Sequence, residues 1–191
     1  MPDLIVIFGP PAVGKAAVGH ALAQLTGFRF FHNHMTAEPV AALFGWGAAP
    51  WLLSQLRITL FTAALAQPTM PSIIFTFVWA LDLEGDGEFI QQVVALFEAS
   101  GGQVFFVELV ASLPARLERE GTPLRLSLKP SKHNVPSARA LLAELEGKYK
   151  LNSTNDFPYP EHHLVLNTEQ YSPLECAQRI AAHWCFNDAS P

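Results

Sequence analysis

Gly9, Gly14 and Lys15 stand in the spacing Gly-x-x-x-x-Gly-Lys within the stretch GPPAVGKAAVG. That spacing suits phosphate. The N–H groups of a glycine-rich turn point into the turn, a following helix N-terminus adds positive potential, and a lysine reaches the outer phosphates. Gly9, Pro10, Pro11, Ala12, Val13, Gly14, Lys15, Ala16 and Ala17 therefore form the candidate phosphate cradle. One position departs from the pattern. Ser or Thr follows the lysine in such loops, and its hydroxyl meets Mg²⁺; here the residue is Ala16. Phosphate binding need not fail, because backbone groups and Lys15 supply most of it. Mg²⁺ would then be held by water and nucleotide oxygens, since it keeps several waters in any case.

Such a loop works only between a buried strand and a helix, and the flanks meet that test. Leu4–Phe8 is a short apolar run rich in β-branched residues, as in a strand buried on both faces of a parallel sheet. Lys15–Thr26 reads as a helix stopped by Gly27. Further strands are expected at 28–31, 72–79, 103–110 and 163–167. Helices are expected at 36–44, 50–66, 86–99, from 114 to 120, at 137–149 and at 172–184. Strands that alternate with helices predict a parallel sheet wrapped on both faces, a three-layer α/β fold. The chain reads as one domain over 1–191, with a polar, basic, proline-broken excursion at about 116–136.

Several side chains outside the loop could carry chemistry. His32, Asn33 and His34 follow the second strand and read as a polar wall facing a substrate, with a satisfied structural pair of histidines as the bland alternative. The two imidazoles at i, i+2 could share a face, but no Cys or carboxylate cluster completes a metal site with them, and no protein metal site is expected. Arg57 is alone among Asp, Glu, Lys and Arg between Pro39 and Leu81. It either holds an anionic group or packs its stem and sends its head to solvent. Asp82 follows the third strand, at the strand end that faces the ligand crevice, with Glu84 and Asp86 as stand-ins and a helix cap as the plainer reading. Glu108, inside an apolar strand, reads as a buried partner for an arginine, and His162 and His163 as structural. Arg116, Arg119, Arg125, Lys129 and Lys132 supply five of the chain's twelve Lys and Arg to the excursion. Arg119 and Arg125 are candidates for stabilising charge on a moving phosphoryl group, with Arg116 next; a solvated basic face is the bland alternative.

Composition narrows the classes. The chain has 191 residues, is 50% hydrophobic and carries a net charge of −5, so its surface as a whole is not built for nucleic acid. Two cysteines do not make a disulfide framework. No apolar stretch reads as a membrane span, and the N-terminus lacks the basic and small-residue marks of a signal peptide. A soluble, cytoplasmic protein is expected.

The chain resembles the P-loop small-molecule kinases of the shikimate kinase, gluconate kinase and nucleoside monophosphate kinase type. The resemblance spans nearly the whole chain and rests on GPPAVGK, FHNHMT, RLEREGTPLRLSLKPSK and LVLNTEQYSP. Within that group the chain looks most like the shikimate-kinase-like ATPases that carry FHNHMT, KPSK and LNS-type segments. The resemblance implies a five-stranded parallel sheet in the order 2-3-1-4-5 with a mobile lid, ATP as the nucleotide and transfer of its γ-phosphate to a hydroxyl acceptor. It implies that Thr168, after the last strand, lies near the adenine, that Arg57 lies in the acceptor region, and that Asp82 is a Walker-B-like or base-like carboxylate. Two departures matter: Ala16, and HNH where many relatives place an acidic pair. They motivate a rival reading, a nucleotide sensor or partner domain with weak or no transfer. An RNA-directed role is a third, poorly matched to the charge. The partners expected are ATP and an unidentified small-molecule acceptor, on a monomer or homodimer.

Overall fold

In the computed structural model, which describes residues 1–120 and 135–186, five parallel strands lie side by side in the order β2-β3-β1-β4-β5. They are β1 (Leu4–Phe8), β2 (Arg29–His32), β3 (Ile73–Thr76), β4 (Val104–Val110) and β5 (His163–Asn167). The helices are α1 (Lys15–Thr26), α2 (His34–Phe44), α3 (Pro50–Leu65), α4 (Glu84–Ala99), α5 (Leu113–Arg119), α6 (Val135–Lys148) and α7 (Pro173–His183). The expected α/β class and strand order are the ones observed.

The centre of the sheet explains the unbroken apolar run of β1. Every residue from Leu4 to Phe8 is buried, with β3 on one side and β4 on the other. Side chains alternate across a strand, so the run divides between two cores. Leu4, Val6 and Phe8 join an aromatic layer with Phe61, Phe75, Phe77, Phe89, Phe97 and Phe106. Ile5 and Ile7 join an aliphatic layer with Val18, Leu22, Val107, Leu166 and Ile180. Each side chain of this size contributes about 1.5–3 kcal/mol when fully buried.

Local signals set the helix ends. Gly27 stops α1 in the left-handed region, at φ 73°, and its N–H reaches the Ala23 carbonyl. Ser172 and Glu175 cap α7 reciprocally, ahead of Pro173. Gly19 sits inside α1, where a Cβ would collide with the ring of Phe30. The missing side chain is what lets β2 lie close beneath the helix.

Two boundaries differ from expectation. β3 ends at Thr76 rather than near Trp79, because its pairing with β1 and with β2 ends there. Thr76 is paired with Ile7 and with His32, after which β1 turns into the glycine loop and β2 into α2. His32 and His34 therefore do not share a strand: the first closes β2 and the second opens α2. The excursion residues 121–134, among them Arg125, Lys129 and Lys132, lie outside the described residues.

Candidate functional site

The glycine loop leaves the carboxyl end of the central strand and enters α1. Gly9 has φ 130° and lies against the Leu109 carbonyl, so any side chain there would meet backbone. Ala12, with φ 64°, adopts a conformation that L-residues rarely hold, and Gly14, with φ 111°, occupies the N-cap of α1. Backbone of this kind makes concave turns that present N–H groups. Pro10 and Pro11 have no N–H, so the donors of the loop come from Ala12 onward.

Basic and hydroxyl side chains grip the loop through its carbonyl oxygens. The buried Lys15 folds back, and its Nζ donates to the carbonyls of Gly9 at 2.5 Å and Pro10 at 2.8 Å. Arg116 donates to the Pro11 carbonyl at 3.4 Å. Arg119 donates to the Val13 carbonyl at 3.3 Å, and Thr168 Oγ1 donates to the same oxygen at 2.8 Å. In a trans peptide the C=O and the following N–H point opposite ways. Carbonyls held on one side thus turn the amides of Ala12 and Gly14 to the other, where an anion could take them.

The two arginines of α5 are therefore tied to the loop rather than spread over a solvated face. Arg116 is 1% exposed, donates to the Ala111 carbonyl and pairs with Glu146 of α6 at 2.7 Å. Arg119 also donates to Thr168 Oγ1 and to the Thr168 carbonyl, both at 2.8 Å. Glu169 accepts from the Ser112 N–H at 2.7 Å, joining the end of β5 to the start of α5.

A second cluster forms at the ends of β2 and β3. The Asn33 N–H donates to Thr76 Oγ1 at 3.2 Å. Its carbonyl accepts from the N–H groups of Thr36 and Ala37, from Thr36 Oγ1, and from Arg57 at 3.5 Å. Arg57 neither reaches solvent nor stands alone. It is 3% exposed, its Nε donates to Thr36 Oγ1 at 3.1 Å, and its guanidinium carbon lies 5.6, 5.6 and 5.8 Å from the ring centres of Phe75, Phe77 and Phe89. Burial pushes its pKa down to about 10, against the opposing field of Asp86. Burial likewise raises the Asp86 carboxyl, although the Ala80 N–H and Arg57 both favour its charge.

His34 Nδ1 lies 2.9 Å from Glu38 Oε1, one helical turn along α2. Its ring is 5.9 Å from Trp46 and 6.5 Å from His32. Asp82 is exposed and its Oδ1 accepts from the Lys150 N–H at 2.9 Å, a bond that fastens the end of α6. It does not cap α4, whose N-cap is Leu83. The inward-turned carboxylate of this segment is Asp86.

Glu108 is 1% exposed, and its partners are not arginines. It accepts from Asn152 Nδ2 and the Ser153 N–H, both at 2.8 Å, from Ser153 Oγ at 2.5 Å, and from His163 Nε2 at 2.9 Å. Burial raises its pKa, but these donors outweigh burial and hold the carboxyl below the usual glutamate value. His162, in a 3₁₀ turn, bonds to the Val104 carbonyl, so both histidines are structural as expected.

Sequence reasoning missed Glu38, Thr36 and Trp46. The His34–Glu38 spacing of i, i+4 on a helix is a readable signal; the Trp46 contact crosses a helix end and is not. For Mg²⁺, the donor set is poor: Ala16 offers a methyl group, and among the described residues no group of three or more His, Cys, Asp and Glu could hold a metal ion. Among the described residues no helix is long and apolar enough to cross a membrane.

No protein-family model matches the chain, and no curated protein matches it in sequence. Solved structures do match in shape. A gluconokinase from Sinorhizobium meliloti superposes with a TM-score of 0.57 at 15% identity, over 97% of each chain. The tunicamycin resistance protein of Deinococcus radiodurans gives 0.57 at 21% identity over 100% of each chain. A shikimate kinase from Acinetobacter baumannii, solved with shikimate, gives 0.52 at 19% identity, over 100% of this chain and 96% of that one. With its sheet order and its glycine loop after the central strand, the chain has the P-loop fold of the shikimate and gluconate kinases.

Proposed function

We propose that this chain binds ATP at the Gly9–Ala17 loop and transfers its γ-phosphate to the hydroxyl of a small molecule. The observation that carries the reading is the loop itself. A buried lysine ammonium, a left-handed Gly14 at a helix N-cap and carbonyls held by Arg116, Arg119 and Thr168 make a cradle already shaped for phosphate. Lys15 would exchange its carbonyl partners for phosphate oxygens. Arg119 would add positive charge near the transferring group, a role also proposed for Arg125, which lies outside the described residues, and Arg116 and Thr168 would border the nucleotide. Mg²⁺ would arrive on the nucleotide and neutralise phosphate charge there; the chain's own donors do not build a site for it. The kinase names of two structural neighbours support this class of reaction, and the acceptors in those names are those proteins' own.

The acceptor would lie against His32, Asn33 and His34. Arg57, committed to Thr36 and Asn33, would act by fixing that wall rather than by taking an anionic group itself. Asp82 would assist from the rim only if its bond to Lys150 were given up. Ala16 favours one rival, a nucleotide-binding sensor without efficient transfer.

Calorimetric titration of ATP, with and without Mg²⁺, on the wild type, Lys15→Ala and Ala16→Ser tests both. Binding that needs Lys15 and tightens with Mg²⁺ in the wild type supports a working kinase loop. Binding indifferent to Mg²⁺ until Ala16→Ser supports the sensor. Absence of binding in every variant overturns both readings.

A further inference from the structure

We propose that the apolar face of α2, with the connection after it, docks against a second copy of this chain about a two-fold axis. The inference does not depend on what the glycine loop binds. Met35, Pro39, Ala42 and Leu43 stand at i, i+4, i+7 and i+8 of α2, a spacing that puts them on one side of the helix, and all four are exposed. The usual arrangement is inverted there. A surface helix turns its apolar stripe to the core and its polar residues to water. The residues that α2 buries are instead Thr36 and Ala37.

The apolar surface continues past the helix. Phe44 ends α2, Trp46 lies in the connection and Trp51 opens α3; they are 54%, 58% and 69% exposed. The ring of Trp46 comes to 5.9 Å from that of His34, in the first turn of α2, so the connection folds back along the helix. Gly45 and Gly47, at φ 86° and 74°, flank this tryptophan in conformations that a side chain would strain. The backbone thus holds an indole at the surface.

The extent of the face fits a dimer. A whole aromatic side chain offers roughly 150–250 Å², so the exposed parts of Phe44, Trp46 and Trp51 make roughly 300–450 Å². Met35 is 54% exposed and Leu43 is 80% exposed. With Pro39 and Ala42 they bring the surface towards the roughly 800 Å² per copy that a specific interface buries.

Charge selects the occupant. Between Glu38 and Arg57 the sequence has no Asp, Glu, Lys or Arg, and Arg57 itself is buried. Two copies, each with a net charge of −5, repel where their charged surfaces meet, and this face avoids that repulsion. Near a two-fold axis a residue meets its own counterpart, so a charged side chain there would face its like. A charge-free centre of Met, Leu, Phe and Trp suits such a contact, and aromatic residues and Met are enriched in interface cores. A helix that lies on a lipid surface carries Lys and Arg beside its apolar face, and residues 33–56 contain neither. A small molecule would want a concave site, which the outer side of a helix does not make.

Sedimentation velocity of the full chain tests the docking, over about 1–100 μM, where mass action reveals a dimer. The wild type should be dimeric at the upper end. Leu43→Glu should weaken the dimer about 30-fold or more, because it puts a carboxylate in the contact, and Trp46→Ser should act in the same direction. Circular dichroism should show both variants folded. Leu174→Glu, at an exposed leucine of α7, should stay dimeric. A wild type that is monomeric across the range overturns the proposal, and pelleting of that monomer with phosphatidylcholine vesicles would assign the face to lipid instead. A dimer that survives both Leu43→Glu and Trp46→Ser, or one that Leu174→Glu breaks, overturns it as well. If Leu43→Glu does not fold, Trp46→Ser decides on the same criterion.

Discussion

The guanidinium of Arg116 bonds at once to Glu146 of α6, at 2.7 Å, and to the carbonyl of Pro11 in the glycine loop. One buried side chain thus connects the glycine loop to α6. The two ends of this link are unequal. Arg116 is almost wholly buried, whereas Glu146 is 39% exposed. Arg116→Met should cost about 3 kcal/mol, because it strips the Pro11 and Ala111 carbonyls of a donor and leaves Glu146 without its cation. Glu146→Gln should cost below about 1 kcal/mol, since water screens that partner. Urea midpoints of the two variants check the asymmetry, and equal losses would mean that the pair, not the loop contact, matters.

Acid should weaken the bond that holds segment 152–163 to the sheet. Glu108 is held below the usual glutamate value of 4.5. A carboxyl depressed in the folded state contributes stability above its unfolded pKa and loses it as pH falls through the folded one. Glu108→Gln should therefore destabilise the protein at pH 7, by about 1–3 kcal/mol. The gap to wild type should shrink as pH drops below about 4.5. Thermal melts at stepped pH read the gap directly, and a constant gap would contradict the assignment.

Arg57→Lys should show that the guanidinium shape matters and not its charge alone. A lysine cannot supply the Nε donor to Thr36 and the second donor to Asn33 in the same plane. A loss of about 1–2 kcal/mol is expected, with a matching fall in hydrogen-exchange protection at Thr36 and Ala37. Unchanged protection would show that the HNH turn holds itself.

Gly19→Ala should destabilise by about 1–3 kcal/mol through overpacking against Phe30. The second substitution Phe30→Leu should recover part of the loss. Denaturation of the two single variants and the double variant gives the coupling.

The fold was legible where a pattern is local. The apolar run 4–8, the glycine turn and Gly27 mark β1, the loop and α1 from neighbours in sequence alone. The place of the glycine loop between β1 and α1 was legible, whereas the partners of the buried polar residues were not. Glu108 finds Asn152, Ser153 and His163 more than forty residues away, so nothing near it in sequence names its partners. Arg57 looked isolated because its charge partner, Asp86, lies on another helix and its cage is built from rings of β3 and α4. Asp82 drew attention by its place after an apolar run, yet the run outlasts the strand, which stops at Thr76 where its pairing with β1 and with β2 ends.

Gly19 and Phe30 carry a further consequence for how this chain can change over generations. One position favours the smallest residue because the other is filled by a large ring. A lineage that enlarges residue 19 first bears the cost of overpacking, whereas one that has already shrunk residue 30 does not, so the second order is the easier one. The two sites behave as one hereditary unit, and in a set of related chains their sizes should vary in opposition.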